Sequence, residues 1–391
     1  MPKRRLTTIL ACLMSLLIST AVTAQPLLSQ LATLLTEQRP SGAFVPDAAA
    51  AAATTNTVAG LFLVELATLP TVSSSGGFIY RFRSDLGMYE RASNEFGPFF
   101  TERALRNGRG QASLGLTYQS STFGSLQGGD LRNGTFPTNA ARFAGAIDPF
   151  SVDTLRLELV ARTLTPFFSY GVSDRLDVGL EVPLVTVRFD GQRTRTVDGV
   201  STLQSSQAGS STGFGDVTVS GRYLVVGSGV RGFSVGTNLR LPTGRRLDLL
   251  GTDDAAGRVL AVASWEEGRL ATHVNGGIGL GGVSREVFWA SATTFAAAPR
   301  LTIIGELLGR HLSELAQLSD VYQPHPVLAG LETMRWLPTE RGVHTMFVVT
   351  GAKWNVARSW LLNTNLLIRV TDAGLRAALT PSLSIDYGFE R

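Results

Sequence analysis

Four histidines, His273, His311, His325 and His344, are the side chains of this sequence with the widest chemical reach. A histidine can act as the base of a hydrolytic Ser–His pair. It then needs a hydroxyl within hydrogen-bond reach and a third group to orient its ring. His273, two residues from Asn275, is the best placed of the four. A single histidine among glycines is more often an interior hydrogen-bonding residue, and no G-x-S-x-G elbow accompanies it. His325 lies in Pro324-His325-Pro326, which reads as a rigid turn. The histidines lack the close spacing of a zinc site. Asp253-Asp254 reads as solvated loop charge before it reads as a calcium ligand pair. Gly277-Ile278-Gly279 falls inside a strand-like run, with no helix after it to complete a phosphate loop. No catalytic site, metal or cofactor is expected. A hydrolase using a rim or lumen histidine is the alternative.

Other ionisable residues stand singly among apolar ones: Arg156, Glu158, Arg162, Arg175, Asp177, Glu181, Asp216, Arg222, Arg240, Glu306, Arg310, Lys353, Arg369, Arg376 and Asp386. Their spacing has a period of two. Leu155, Leu157, Leu159 and Ala161 alternate with Arg156, Glu158 and Arg162. Leu176, Val178, Leu180 and Val182 alternate with Arg175, Asp177 and Glu181. Phe233, Val235, Leu239 and Leu241 oppose Ser234, Asn238 and Arg240, and Trp360, Leu362, Leu366 and Ile368 oppose Asn363, Asn365 and Arg369. Such alternation belongs to strands with two unlike faces. If the apolar face meets lipid, the charges must face inward, because an Arg or Lys at the bilayer midplane costs about 2–4 kcal/mol. So many outward charges would exceed the net stability of a domain. Together with His273 and Asn275 these positions are therefore expected to line a lumen. A charged lumen can set conductance and selectivity, or it can be a salt-bridged filling of a narrow barrel. The pattern leaves both open.

The elements that position these residues fit a transmembrane antiparallel β-barrel. From Gly77 onward no apolar run reaches the roughly 20 residues of a membrane-spanning helix. The strand-like runs exceed the 5–6 residues usual in soluble proteins. Some connections are tight, as at Ser173-Asp174 and Glu267-Gly268, whereas Asp190 to Gly213 and Thr243 to Gly257 read as long polar loops. Aromatic residues such as Phe168, Tyr170, Trp265, Trp354, Trp360 and Tyr387 gather at strand ends, as in the girdles of barrel proteins. Thirteen candidate strands run from 112–123 to 375–388, with 300–312, 327–337 and 344–354 among them. Single-chain bacterial barrels have even counts. Twelve is expected, with fourteen the alternative if Phe78 to Tyr89 adds a strand.

Residues 1–24 read as a secretory signal peptide. Lys3, Arg4 and Arg5 precede an apolar stretch from Leu6 to Ile18 and small residues at Val22-Thr23-Ala24. Cleavage at Cys12 would leave an apolar region too short to function, so lipid anchoring is not expected. Cys12 is the one cysteine, so the exported chain has no disulfide. Residues 25–76 differ in texture from the strand-rich remainder of the chain. Pro26 to Gln38 suits a short amphipathic helix, Ala48 to Ala53 is an alanine run, and Ser73 to Gly77 is Ser/Gly-rich. This segment is expected to be periplasmic or a plug, and 77–391 the barrel. Charged residues are only 17% of the chain and its formal charge is +4, with basic residues scattered, which argues against nucleic acid as a partner.

Several runs resemble a family of outer-membrane barrels associated by name with the meta pathway of phenol degradation. They are Phe168 to Pro183 (FSYGVSDRLDVGLEVP), Gly213 to Asp216 (GFGD), Leu239 to Gly244 (LRLPTG), Thr371 to Arg376 (TDAGLR), Thr380-Pro381 and Asp386 to Phe389 (DYGF). The resemblance covers roughly Leu155 to Phe389 and brings no catalytic motif. It implies a bacterial outer-membrane transporter for hydrophobic or aromatic solutes. Its partners would be outer-membrane lipid, a small-molecule solute and the barrel-insertion machinery, with a monomer favoured. Phe389 is followed by Glu390 and Arg391, a departure from the aromatic end that such chains often carry. A structural or surface-contact barrel is the third reading.

Overall fold

The computed structural model describes residues 25–37, 47–67, 77, 80–83, 88–91, 93–227, 231–357 and 359–389. The expected signal peptide lies outside them. Twelve antiparallel strands close into a barrel. They are β1 (Ala112–Phe123), β2 (Ser151–Gly171), β3 (Leu176–Glu181 and Leu184–Val197) and β4 (Val200–Phe214 and Val217–Gly227). Next come β5 (Arg231–Leu241), β6 (Ala256–Glu267), β7 (Leu270–Gly281) and β8 (Glu286–Ala298). The last four are β9 (Leu301–Pro324), β10 (Leu331–Ala357), β11 (Trp360–Arg369) and β12 (Leu379–Phe389). β3 is interrupted at Val182-Pro183, where proline has no N–H to give the ladder. Closure is direct: β12 pairs with β1 from Phe389↔Ala112 to Ser382↔Gln119, and β1 pairs with β2.

The thirteenth candidate, 327–337, is the upper part of the same strand as 344–354, the 27-residue β10. Asp190 to Gly213 is not a loop either. It continues β3 and β4, which pair from Leu184↔Phe214 to Val197↔Val200. Among the described residues, Phe78 to Tyr89 adds no barrel strand: Tyr80–Arg83 pairs with Met88–Arg91 in a two-stranded sheet of their own. The barrel therefore starts at Ala112 rather than Gly77.

Each strand presents large apolar side chains outward. Leu116, Phe168, Leu180, Val219, Val235 and Val259 lie on the outer faces of β1 to β6, and Val274, Phe295, Leu307, Met346, Trp360 and Leu383 on those of β7 to β12. All are exposed, and together they form a belt around the barrel. A closed barrel satisfies its backbone hydrogen bonds internally, and a continuous apolar belt is stable only against lipid. The molecule is a bacterial outer-membrane β-barrel. Trp360, Tyr387 and Phe389 contact one another in sequence, tilted and then edge-on, with ring centroids 4.9 and 4.8 Å apart, on the side of the short turns 172–175, 268–269 and 299–300. At the opposite end several connections are longer, such as 124–150, 242–255 and 370–378, although β3 and β4 meet in the two-residue turn 198–199, and β2, β3, β4, β9 and β10 extend beyond the belt.

Beyond the belt the alternation changes sense. Leu155, Leu157, Leu159, Val187 and Phe189 are buried inside, while Arg156, Glu158 and Arg162 are exposed outside. The interior there is occupied by two helices. In α1 (Leu27–Thr36), Leu27, Leu31, Leu34 and Leu35 form one buried stripe. α2 (Ala48–Ala67) has apolar residues all round it, as a buried helix should, with Glu65 its single charged side chain. The alanine run is thus the start of a 20-residue helix. Asp47 caps it, accepting the N–H groups of Ala49 and Ala50 at 3.1 and 3.0 Å. Both helices join the largest apolar core, together with Phe123, Phe136, Leu318 and Trp336.

Candidate functional site

At the level of the belt the barrel interior has a floor, a ceiling and a space between them. Residues 93–111, just before β1, make the floor. They form neither helix nor strand, so their backbone groups need partners from the wall. Glu306 on β9 accepts the N–H groups of Phe99, Phe100 and Thr101 and the Thr101 hydroxyl, the last at 2.7 Å. Lys353 on β10 donates to the carbonyls of Pro98 at 2.8 Å and Phe96 at 3.4 Å. Arg222 on β4 pairs with Glu102. Asp177 on β3 accepts the Asn107 N–H at 3.0 Å and faces Arg106 at 3.9 Å. Asn275 on β7 meets the backbone of Glu102. The segment turns into β1 at Gly108 and Gly110, both at positive φ and packed against Gly171, where a side chain would not fit.

His273 belongs to this floor. Its Nδ1 lies 2.8 Å from the Ser264 hydroxyl, and its Nε2 lies 3.9 Å from Glu95. Serine, histidine and carboxylate are the components of a hydrolytic triad. Here, however, Ser264 Oγ also accepts the Ala104 N–H at 2.9 Å, and neither large cavity is lined by Ser264 or His273. The arrangement fastens the strap to the wall.

The lower end of α2 makes the ceiling. Glu65 pairs with Arg369 at 2.7 Å and Arg310 at 3.4 Å, and Arg310 also donates to Thr345 at 2.9 Å. Between floor and ceiling lie two cavities of about 120 Å³ each. One is bounded by Leu66, Thr117, Phe167, Asp216 and Arg240. The other is bounded by Phe100, Leu260, Phe288, Leu308 and Phe347. Glu181, Asn238 and Arg258 line both. Arg258 pairs with Glu286, and Arg240 stands 3.8 Å from Asp216. Asp216 also accepts Gly244 N–H at 3.0 Å and the Thr252 N–H and hydroxyl at 3.1 and 3.0 Å, which fixes the loop above.

The structure places Asp177, Glu181, Asp216, Arg222, Arg240, His273, Asn275, Glu306, Arg310, Lys353 and Arg369 on the inward face. Asp386 is buried there too, accepting a bond from Asn363 at 2.9 Å. Five positions correct the expectation. Arg156, Glu158 and Arg162 face outward above the belt, in water, because the inner face of that part of β2 packs on apolar neighbours. Arg175 is exposed in the turn between β2 and β3. Arg376 sits above the lumen in the loop side of the barrel, paired with Asp372 at 2.9 Å. Sequence reasoning missed Glu65, Glu95, Glu102, Arg103 and Arg106, which come from segments without strand periodicity. Arg258 and Glu286 were also missed, although each precedes an outward valine, Val259 or Val287, and carries the same signal as the rest.

No protein-family model matches the chain, and no curated protein does, so the resemblance to the phenol-pathway barrels rests on the residue runs alone. Solved structures are similar in fold only. The COG4313 outer membrane channel from Pseudomonas putida F1 aligns with a TM-score of 0.45 and 14% identity, over 73% of this chain and 98% of that one. The KdgM porin in complex with disordered oligogalacturonate gives 0.37 and 8%, over 71% and 99%. The CymD monoaromatic hydrocarbon channel gives 0.28 and 10%, over 72% and 90%.

Proposed function

We propose that this barrel is a channel for small solutes, held shut at rest by its own N-terminal segment. The observation that carries the reading is the interior: a mixed polar and apolar space closed by the 93–111 strap on one side and by α2 on the other. A barrel whose interior served only as a scaffold would be expected to fill it with side chains from the wall. Here two separate N-terminal pieces fill it, and they are held by ion pairs and hydrogen bonds that can exchange with water. The wall of Phe100, Phe288 and Phe347 suits an apolar or aromatic body. Transport down a gradient needs no cofactor.

The test is deletion of Leu27 to Val72 in the purified chain, reconstituted in planar bilayers. Larger single-channel conductance and faster solute uptake than the intact chain are expected. Unchanged conductance and uptake would sink the plug reading. Assaying ester hydrolysis on the same protein separates the rival enzyme reading: hydrolysis abolished by His273→Ala would favour it.

A further inference from the structure

We infer that the two cavities form one binding site for a small amine, an apolar or aromatic body carrying a protonated amino head, with Glu181 and Asn238 as the groups that receive it. The inference rests on the channel reading and names its solute class. It comes from matching the charges around the cavities. Each arginine there already faces an acid: Arg222 has Glu102, Arg240 has Asp216, Arg258 has Glu286 and Arg310 has Glu65. Glu181 is the remaining carboxylate. It is 7% exposed, lines both cavities, and forms no ion pair within 4.0 Å among the described residues. Its Oε2 is buried and accepts no hydrogen bond. The Asn238 Oδ1, on the same shared wall, is also buried and without a donor.

Buried acceptors without donors are uncommon in folded proteins, and each calls for a partner such as a water, an ion or a ligand; Glu181 and Asn238 differ from others here, such as Asn363 and Asp386, in lining both cavities. An ammonium group offers three donors and no acceptor, which suits a wall that carries two buried acceptors, Glu181 on β3 and Asn238 on β5, across the intervening β4. The apolar wall of Phe288, Leu308 and Phe347 then receives the body. A carboxylate solute finds the opposite: every arginine is already engaged, and Glu181 repels it. A neutral alcohol offers one donor and no charge.

The experiment uses the full chain, with benzylamine, benzyl alcohol and benzoate as probes of one shape and three head groups. Equilibrium binding is measured by calorimetry in detergent micelles, and entry is measured separately in proteoliposomes. Benzylamine is expected to bind about tenfold or more tighter than the other two, and Glu181→Gln to remove that advantage. Glu181→Asp, which keeps the charge, should retain part of it. Glu181→Gln keeps the size of the side chain, removes a buried carboxyl that has no ion pair within 4.0 Å among the described residues, and should fold at least as well as the parent. The exposed Glu267→Gln serves as the control and should change nothing. Equal binding of benzylamine and benzoate, benzyl alcohol binding as tightly as benzylamine, or an amine preference that survives Glu181→Gln would overturn the site. Selective binding without entry would overturn the channel and leave the site standing. Entry of the probes together with binding indifferent to Glu181 would do the reverse.

Discussion

Single residues here do opposite things according to depth. Glu306 in the belt region is a buried carboxylate that holds three consecutive N–H groups of the strap. Hydrogen bonds to a charged group contribute about 1.5–3 kcal/mol each. Glu306→Ala should therefore loosen the strap by at least one such increment, read as faster hydrogen exchange at Phe99 to Thr101 while the barrel amides stay protected. Asp47, above the belt, works on the helix side. Burial alone would raise its carboxyl, but the Ala50 N–H, the Thr333 hydroxyl and the Arg335 guanidinium outweigh burial and hold it below the usual range. A carboxyl whose folded value is depressed stabilises fully above its unfolded value, and the contribution fades as pH falls through the folded one. The protection of α2 amides should thus exceed that of Asp47→Asn at neutral pH. The gap should close only in acid below the ordinary aspartate value; a gap that closed near neutrality would refute this role.

At the scale of the strand, one alternating pattern meets two environments. In β5 the apolar face of Phe233, Val235 and Leu239 looks out to lipid. In the upper part of β2 the apolar face of Leu155, Leu157 and Leu159 looks in to the core around α1. The period is the same, but the solvent on each side has changed places. Val235→Arg should cost about 2–4 kcal/mol, since it puts a cation into the belt. Arg156→Ala, at an exposed site in water, should stay within about 0.5 kcal/mol. Urea unfolding in lipid vesicles distinguishes the two; equal effects would mean that the belt has been misplaced on one strand. The long β9–β10 hairpin obeys the same logic. Its lower part carries Leu307 and Met346 to lipid, and its upper part buries Leu318, Met334 and Trp336 beside the helices.

For the whole molecule, the N-terminal pieces hold the interior from both ends and by separate contacts. The helices rest on the apolar upper core and on the pairs of Glu65 with Arg310 and Arg369. The strap rests on Glu306, Lys353 and Arg222. With few shared partners, the two closures should act nearly independently. Deleting Leu27 to Val72 leaves the strap in place and should raise conductance only part of the way. Adding Glu306→Ala and Lys353→Ala should raise it further, as seen in single-channel recordings. A deletion that alone reaches the combined value would show that the strap offers no resistance.

The sequence by itself determined the membrane barrel, because apolar and polar residues alternate over runs too long for soluble strands. It also determined most of the inward charges of the belt, since Asp177, Arg222, Glu306, Lys353 and Arg369 each stand opposite lipid-facing neighbours. The strand count was legible except at β10, where polar Thr339, Glu340 and Arg341 separate two parts of one strand and imitate a loop. What only the tertiary structure decided was which face of a strand is inside above the belt. A period of two states that two faces differ, and not which of them meets water. The floor was beyond periodicity as well. Residues 93–111 have no repeat, and their backbone is satisfied by side chains far away in sequence, such as Glu306 and Lys353. The unmatched carboxylate of Glu181 emerged only when every arginine around it had been given its partner in space.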